Sequence, residues 1–326
     1  MGLSWIRSLS EKLTQTMNEP TQNSPAADPA PSEIFPSPMA AAMLSLAGLF
    51  ASSFVASLAL ASGLVDPSSL MAAMGIGYAL GLGGVATLAT RRVPEPQNLR
   101  LGLQGFSPTI LGAMICLLPV VLLVSEIDNY WKIIMPITPE FQELRQELEA
   151  LMNPNSAYAL AETATVALGI VPIVEGFFFF GLVMQGLVAR LGRGRGLLLT
   201  AVLYSLVHFP ASGAPGDTLV PLTSWLVLGG LMGLARLASG SILPSILLAS
   251  LFSAIHLAAD WGAESFPIPG FNAPGAHTSS FLLLIALSSV ALGVRQLWQE
   301  ALTQPIEIPI PKGFKGNEPD DEGFFF

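Results

Sequence analysis

Apolar residues run along this chain in long, nearly unbroken stretches separated by short polar punctuation. Stretches near the ~20 residues that a bilayer core demands predict membrane-spanning helices, which satisfy their own backbone hydrogen bonds. Eight spans are expected, at about 39–64, 69–90, 105–125, 158–189, 196–212, 220–238, 241–260 and 279–297, the fourth long and the fifth short. The predicted fold class is all-α, a polytopic membrane bundle of about eight transmembrane helices.

Around these runs the pattern changes. Residues 1–38 open with Leu3, Ile6, Leu9 and Leu13 at helical spacing, a weak amphipathic helix, and continue into a linker with five prolines between Gln22 and Pro38. Residues 39–126 hold three spans. In the outer loop 127–157, Phe141, Leu144, Leu148 and Leu151 are interleaved with Glu140, Glu143, Glu147 and Glu149, as on an amphipathic surface helix. Residues 158–260 carry four more spans, 261–303 an outer loop and the last span, and 304–326 a tail that turns from Pro-rich to acidic and is expected to be disordered. Gly77 with Gly81, and Gly229 with Gly233, stand four apart, the spacing that lets helices approach closely.

Composition agrees and narrows the function. Charged residues make up 11% of the 326, against about 25% in soluble domains, so the lipid bilayer is the first partner. The net charge of −9 lies largely in the tails and one loop, and no basic patch large enough for nucleic acid is present. One cysteine, Cys116, excludes an intramolecular disulfide and a cysteine-based metal site. Arg91, Arg92 and Arg100 follow the second span, Arg190, Arg193 and Arg195 the fourth, Arg236 ends the sixth and Arg295 the eighth; the alternate connections carry only Lys132 and Arg145. This asymmetry predicts cytoplasmic termini, in a multi-pass protein of a bacterial-type inner or cell membrane.

Against that background three ionisable residues stand deep in spans: Glu175, His208 and His256. A carboxylate at such depth costs roughly 2.5–3.5 kcal/mol on insertion scales and marks a functional site by default. At ~1.5 Å per residue, Glu175 lies about 22 Å from Arg190, His208 about 20 Å from Arg195 and His256 about 22 Å from Ser241. The shared depth predicts one site. A carboxylate beside imidazole in a low-dielectric pocket acts as a general base toward water, and a second imidazole donates to an oxyanion. The same three groups also match a Zn²⁺ site with one position open for water. Both chemistries fit.

Pro172-Ile173-Val174-Glu175-Gly176-Phe177-Phe178-Phe179-Phe180-Gly181 resembles the first motif, Glu-Glu-x-x-x-Arg-Gly, of the CPBP intramembrane proteases, which include type II CAAX prenyl endopeptidases and bacterial Abi proteins. Tyr204-Ser205-Leu206-Val207-His208 resembles the second motif, an aromatic residue four before histidine. Gly240 to Leu248 resembles the lead into the third, His-x-x-x-Asn. The likeness covers about Tyr158 to Asp260 and implies a core of spans four to seven. Gly176 and Phe180 replace the second glutamate and the arginine, and motif spacing puts Ala249 and Ser253 where the third motif is expected. Helix depth instead favours His256, with Asp260, in that role.

The resemblance implies an endopeptidase that cuts a membrane-associated peptide or protein, with Glu175 activating water, His208 assisting and His256 stabilising the oxyanion or completing a metal site. Two other classes fit the same residues: a non-catalytic membrane scaffold, since both members of a buried charge pair are gone, and a proton-coupled transporter. Joint loss at positions 176 and 180 predicts that Phe180→Arg is destabilising and that adding Gly176→Glu restores stability.

Overall fold

The structure is a computed structural model that describes residues 34–66, 69–136, 138–140, 142–143, 156–208, 215–273 and 277–304, and of residues 215–218 and 220 the backbone only. Its long elements are helices α1 (Pro38–Ala61), α2 (Leu70–Thr90), α3 (Thr109–Ile134), α4 (Ala157–Leu191), α5 (Arg193–Val207), α6 (Pro215–Ser239), α7 (Leu243–Trp261) and α8 (Ser280–Thr303). No β-strand occurs among the described residues. Seven of these helices are long and apolar enough to cross a membrane. This is a polytopic all-α membrane protein.

The expected fifth span is the exception. α5 has only 15 residues, about 22 Å of helix, and stops at His208. Pro210 follows two residues later in the sequence, and a proline disfavours helical backbone just before it. α3 departs the other way: it runs past the expected boundary to Ile134, because Val120, Val121, Val124 and Glu126 prolong its buried stripe. The expected amphipathic helix near the N-terminus, most of the outer one and the acidic tail lie outside the described residues.

α4 is the central element. Phe178, Phe179, Leu182, Val183 and Leu187 are fully buried along it, and Phe180 nearly so. The helix is not regular: Val166–Ile170 and Gly176–Val183 take wider π turns. Such turns are rare and frequent at functional sites. They bracket the five residues Val171–Glu175. Pro172 in this short stretch has no N–H for the Leu168 carbonyl four residues back, and Ser250 of α7 donates its hydroxyl there at 2.7 Å. A side chain from a neighbouring helix thus supplies the hydrogen bond that proline removes, as apolar surroundings require.

The glycine pairs do what their spacing predicts. A Cβ on Gly81 would stand 2.5 Å from the Ser52 nitrogen, and one on Gly77 2.5 Å from the Ser52 carbonyl oxygen, so α1 and α2 touch backbone to backbone. Basic side chains at the end of α4 and the start of α5 tie down both ends of the described chain: Arg190 donates to the Ile34 carbonyl and Arg193 to that of Gln304.

Candidate active site

Glu175 ends the regular turn between the two π segments and is buried. Two residues of α5 reach its carboxylate. The Tyr204 hydroxyl donates to Oε2 at 2.9 Å, and His208 Nε2 stands 3.0 Å from Oε1. Residues four apart on a helix lie on one face, which is why Tyr204 and His208 arrive together. Gly229 of α6 makes room for this arrangement: a Cβ there would meet the Tyr204 ring at 2.7 Å. Trp225, one turn earlier, stacks on the His208 imidazole with centroids 4.1 Å apart.

The hydrogen bonds constrain the protons. His208 Nδ1 stands 2.8 Å from the Tyr204 carbonyl oxygen, which only accepts, so Nδ1 carries a hydrogen. The short Nε2 to Oε1 contact then needs one further proton between two acceptors. Glu175 and His208 therefore hold one shared proton, and Tyr204 stabilises whatever negative charge remains on Oε2.

Glu175 also opens on a cavity of about 230 Å³, lined by Leu49, Ser52, Met74, Tyr78, Phe179 and Val207 among others. Its walls are largely apolar side chains of α1, α2 and α4, and the Tyr78 hydroxyl of α2 reaches the Glu175 carboxylate there.

The third expected site residue goes elsewhere. His256 is exposed on the surface of α7, with its ring 6.1 Å from Phe271 and Asp260 as its charged neighbour. The depth estimate took Ser241 as the membrane edge, yet Ser241 is fully buried and Ile242 packs 3.6 Å from where a Cβ on Gly181 would stand. The α6–α7 turn thus begins well inside the level of Arg190. Ile246, 2.3 Å from a Cβ built on Gly176, is the α7 residue beside the site. His256 lies ten residues further, about 15 Å along the helix. Ala249, where motif spacing points, is three residues from Ile246 in the sequence, against ten for His256.

This placement bears on the metal reading. Among the described residues no three His, Cys, Asp or Glu side chains come together, and a catalytic zinc takes three protein ligands. Among the described residues the partners of Glu175 besides His208 are the phenols Tyr204 and Tyr78, not a third zinc-type ligand, so the donor set does not fit zinc.

Comparison with known families agrees with the motif order. Residues 159–255 match the family model described as type II CAAX prenyl endopeptidase Rce1-like. This segment is similar to that family, a group of the CPBP intramembrane proteases. No curated protein and no solved structure matches it significantly. Within the matched segment fall Glu175, His208 and Ala249, whereas His256 lies one residue past its end. Gly176 and Phe180 hold no charge at the two altered CPBP positions: Ile246 fills the space beside Gly176, and the buried Phe180 ring packs 5.7 Å from Tyr204. Motif reading places Tyr204 as an aromatic, but its hydroxyl contact with Glu175 is a tertiary fact. Tyr78 and Trp225 carry no sequence signal beyond a polar atom inside an apolar run.

Proposed function

We propose that this protein is an intramembrane endopeptidase that hydrolyses a peptide bond in a membrane-associated peptide or protein. The observation that carries this reading is a buried carboxylate bonded to one imidazole and one phenol at the wall of a cavity among membrane helices. Water in that cavity would sit against Glu175. As its oxygen attacks the substrate carbonyl carbon, one of its protons passes to the Glu175–His208 pair and the carbonyl π electrons move to oxygen. The tetrahedral intermediate re-forms its C=O bond, the C–N bond breaks, and the leaving nitrogen takes a proton back from the pair. One water is consumed, a carboxylic acid and an amine are released, and the pair returns to its single proton. Stacking on Trp225 keeps the imidazole in line throughout.

The test is cleavage of quenched fluorescent peptides, prenylated and unprenylated, by the purified full-length protein in detergent. Wild-type turnover that Glu175→Gln abolishes supports the assignment; turnover unchanged by that substitution rejects it.

A second reading, a binding protein without catalysis, draws on Ala249, which puts a methyl group at the third-motif position. It predicts peptide binding with no cleavage of any probe in the same assay.

A further inference from the structure

Where α4 returns from its wide π turns to regular helix, a carbonyl is skipped. The Met184 N–H bonds the Phe179 carbonyl, five residues back. Regular helix resumes at Met184, and in its register Gln185 reaches back to Gly181. The Phe180 carbonyl falls between the two registers and has no main-chain donor from its own helix. Such a group in apolar surroundings is costly, and a side chain answers it: Arg236 of α6 donates its Nε–H to the Phe180 oxygen at 3.1 Å.

The same guanidinium donates from Nη2 to the Arg100 carbonyl at 3.1 Å, in the connection between α2 and α3. That connection is shaped around it. Gly102 has a φ of +71°, and a Cβ there would stand 2.5 Å from Arg236 Cζ. The Gly102 carbonyl in turn accepts from the Ile242 N–H just before α7. Arg236 has no carboxylate partner among the described residues, and its bonds go to main-chain oxygens. A basic residue that only orients the chain in the membrane points to water or headgroups. This one turns inward, onto the helix that carries Glu175.

From this geometry we infer that Arg236 is a positioning residue for Glu175, its guanidinium holding the wide register of Gly176–Val183 by bonding the carbonyl which that register leaves open. The inference rests on the endopeptidase reading and deepens it. Glu175 immediately precedes the π segment. A slip of one residue there turns the preceding stretch by about 100° and shifts it about 1.5 Å relative to the stretch that follows. Such a slip carries the carboxylate away from Tyr204 and His208, which belong to α5 and do not move with it. A guanidinium suits the task because its planar fork presents fixed donors to carbonyls on two elements, whereas an ammonium is a point donor.

The experiment compares wild type, Arg236→Leu and Arg236→Lys as full-length chains in detergent, with two readouts. In the first, Gly83→Cys and Val174→Cys are added together with Cys116→Ala, and disulfide formation under oxidant is followed. A Cβ on Gly83 stands 3.7 Å from Val174 Cγ1, so the pair crosslinks while Val174, and Glu175 beside it, keep their direction. In the second, kcat and KM are measured without the added cysteines, on a peptide that the wild type cleaves. Arg236→Leu is expected to crosslink about tenfold more slowly and to lose about 10²-fold in kcat with KM within about threefold, as for a base displaced by about 1 Å. Arg236→Lys, which can still bond one carbonyl, is expected to fall between. Should Arg236→Leu fail to fold, Arg236→Lys against wild type carries both readouts. Unchanged crosslinking and kcat overturn the inference, as does a change in either one without the other, or no crosslink with Arg236 in place. A wild type that cleaves no peptide rejects the endopeptidase reading, and the crosslink then decides by itself whether Arg236 sets the register.

Discussion

The Ser250 hydroxyl donates to the Leu168 carbonyl at 2.7 Å, standing in for the N–H that Pro172 lacks. This bond joins α7 to the irregular turn of α4 that carries Glu175, so the position of the carboxylate depends on a residue of another helix. An unsatisfied buried carbonyl costs about 1–3 kcal/mol, and interhelical bonds in membranes average about 0.6.

Ser250→Ala is therefore expected to destabilise the protein by about 1 kcal/mol. In a Pro172→Ala background, where a backbone N–H returns four residues after Leu168, the same substitution is expected to cost less. Denaturation in detergent of the four chains of this cycle measures the coupling; equal costs in both backgrounds would mean that Ser250 does not replace the proline's missing donor.

Glu175→Gln and His208→Ala each remove a member of the proton-sharing pair. Turnover is expected to fall by about 10²–10⁴-fold, as for loss of a general base, and the double variant to be little worse than either single. Full additivity of the two losses in kcat would show that the residues act independently.

The expected rescue of Phe180→Arg by Gly176→Glu meets an obstacle in the structure. A Cβ on Gly176 stands 2.3 Å from Ile246 Cγ1, so any side chain there displaces Ile246. Gly176→Ala alone is expected to cost about 1–3 kcal/mol through overpacking, and Ile246→Ala to recover part of it. The charge pair at 176 and 180 is accordingly expected to fold only with Ile246 shortened as well. Melting temperatures of these variants decide the point.

A second acid–imidazole pair holds the connection between α7 and α8. Glu126 Oε1 stands 2.7 Å from His277 Nδ1, and its Oε2 accepts from the Thr278 N–H at 2.9 Å. The Thr278 hydroxyl beside it is buried and has no hydrogen-bond partner among the described residues. Thr278→Val is thus expected to stabilise the protein slightly, by up to about 1 kcal/mol, whereas Glu126→Ala strips the Thr278 N–H of its acceptor and lowers the melting point. Faster hydrogen exchange around Thr278 in Glu126→Ala, and no change in Thr278→Val, is the matching signature.

By itself the sequence determined the membrane class, nearly every helix and the pairing of Glu175 with His208 as candidates, two residues that the fold brings into contact. Those follow from chain-local physics: long apolar runs must be helical in lipid, a buried carboxylate needs a reason, and motif order survives without coordinates. Close packing at Gly77, Gly81 and Gly229 was legible too, because spacing alone states what a missing Cβ permits. The tertiary structure alone decided which groups meet. His256 left the predicted site because depth along a helix is only one coordinate, and its reference, the α6–α7 turn, begins inside the bundle rather than at its edge. Tyr78 entered because packing of α2 against α1 and α4 brings together residues about a hundred positions apart, which no periodicity encodes. Ile246 filled the space beside Gly176 for the same reason: the neighbour that occupies a vacated volume is chosen by helix packing, not by the chain on either side of it.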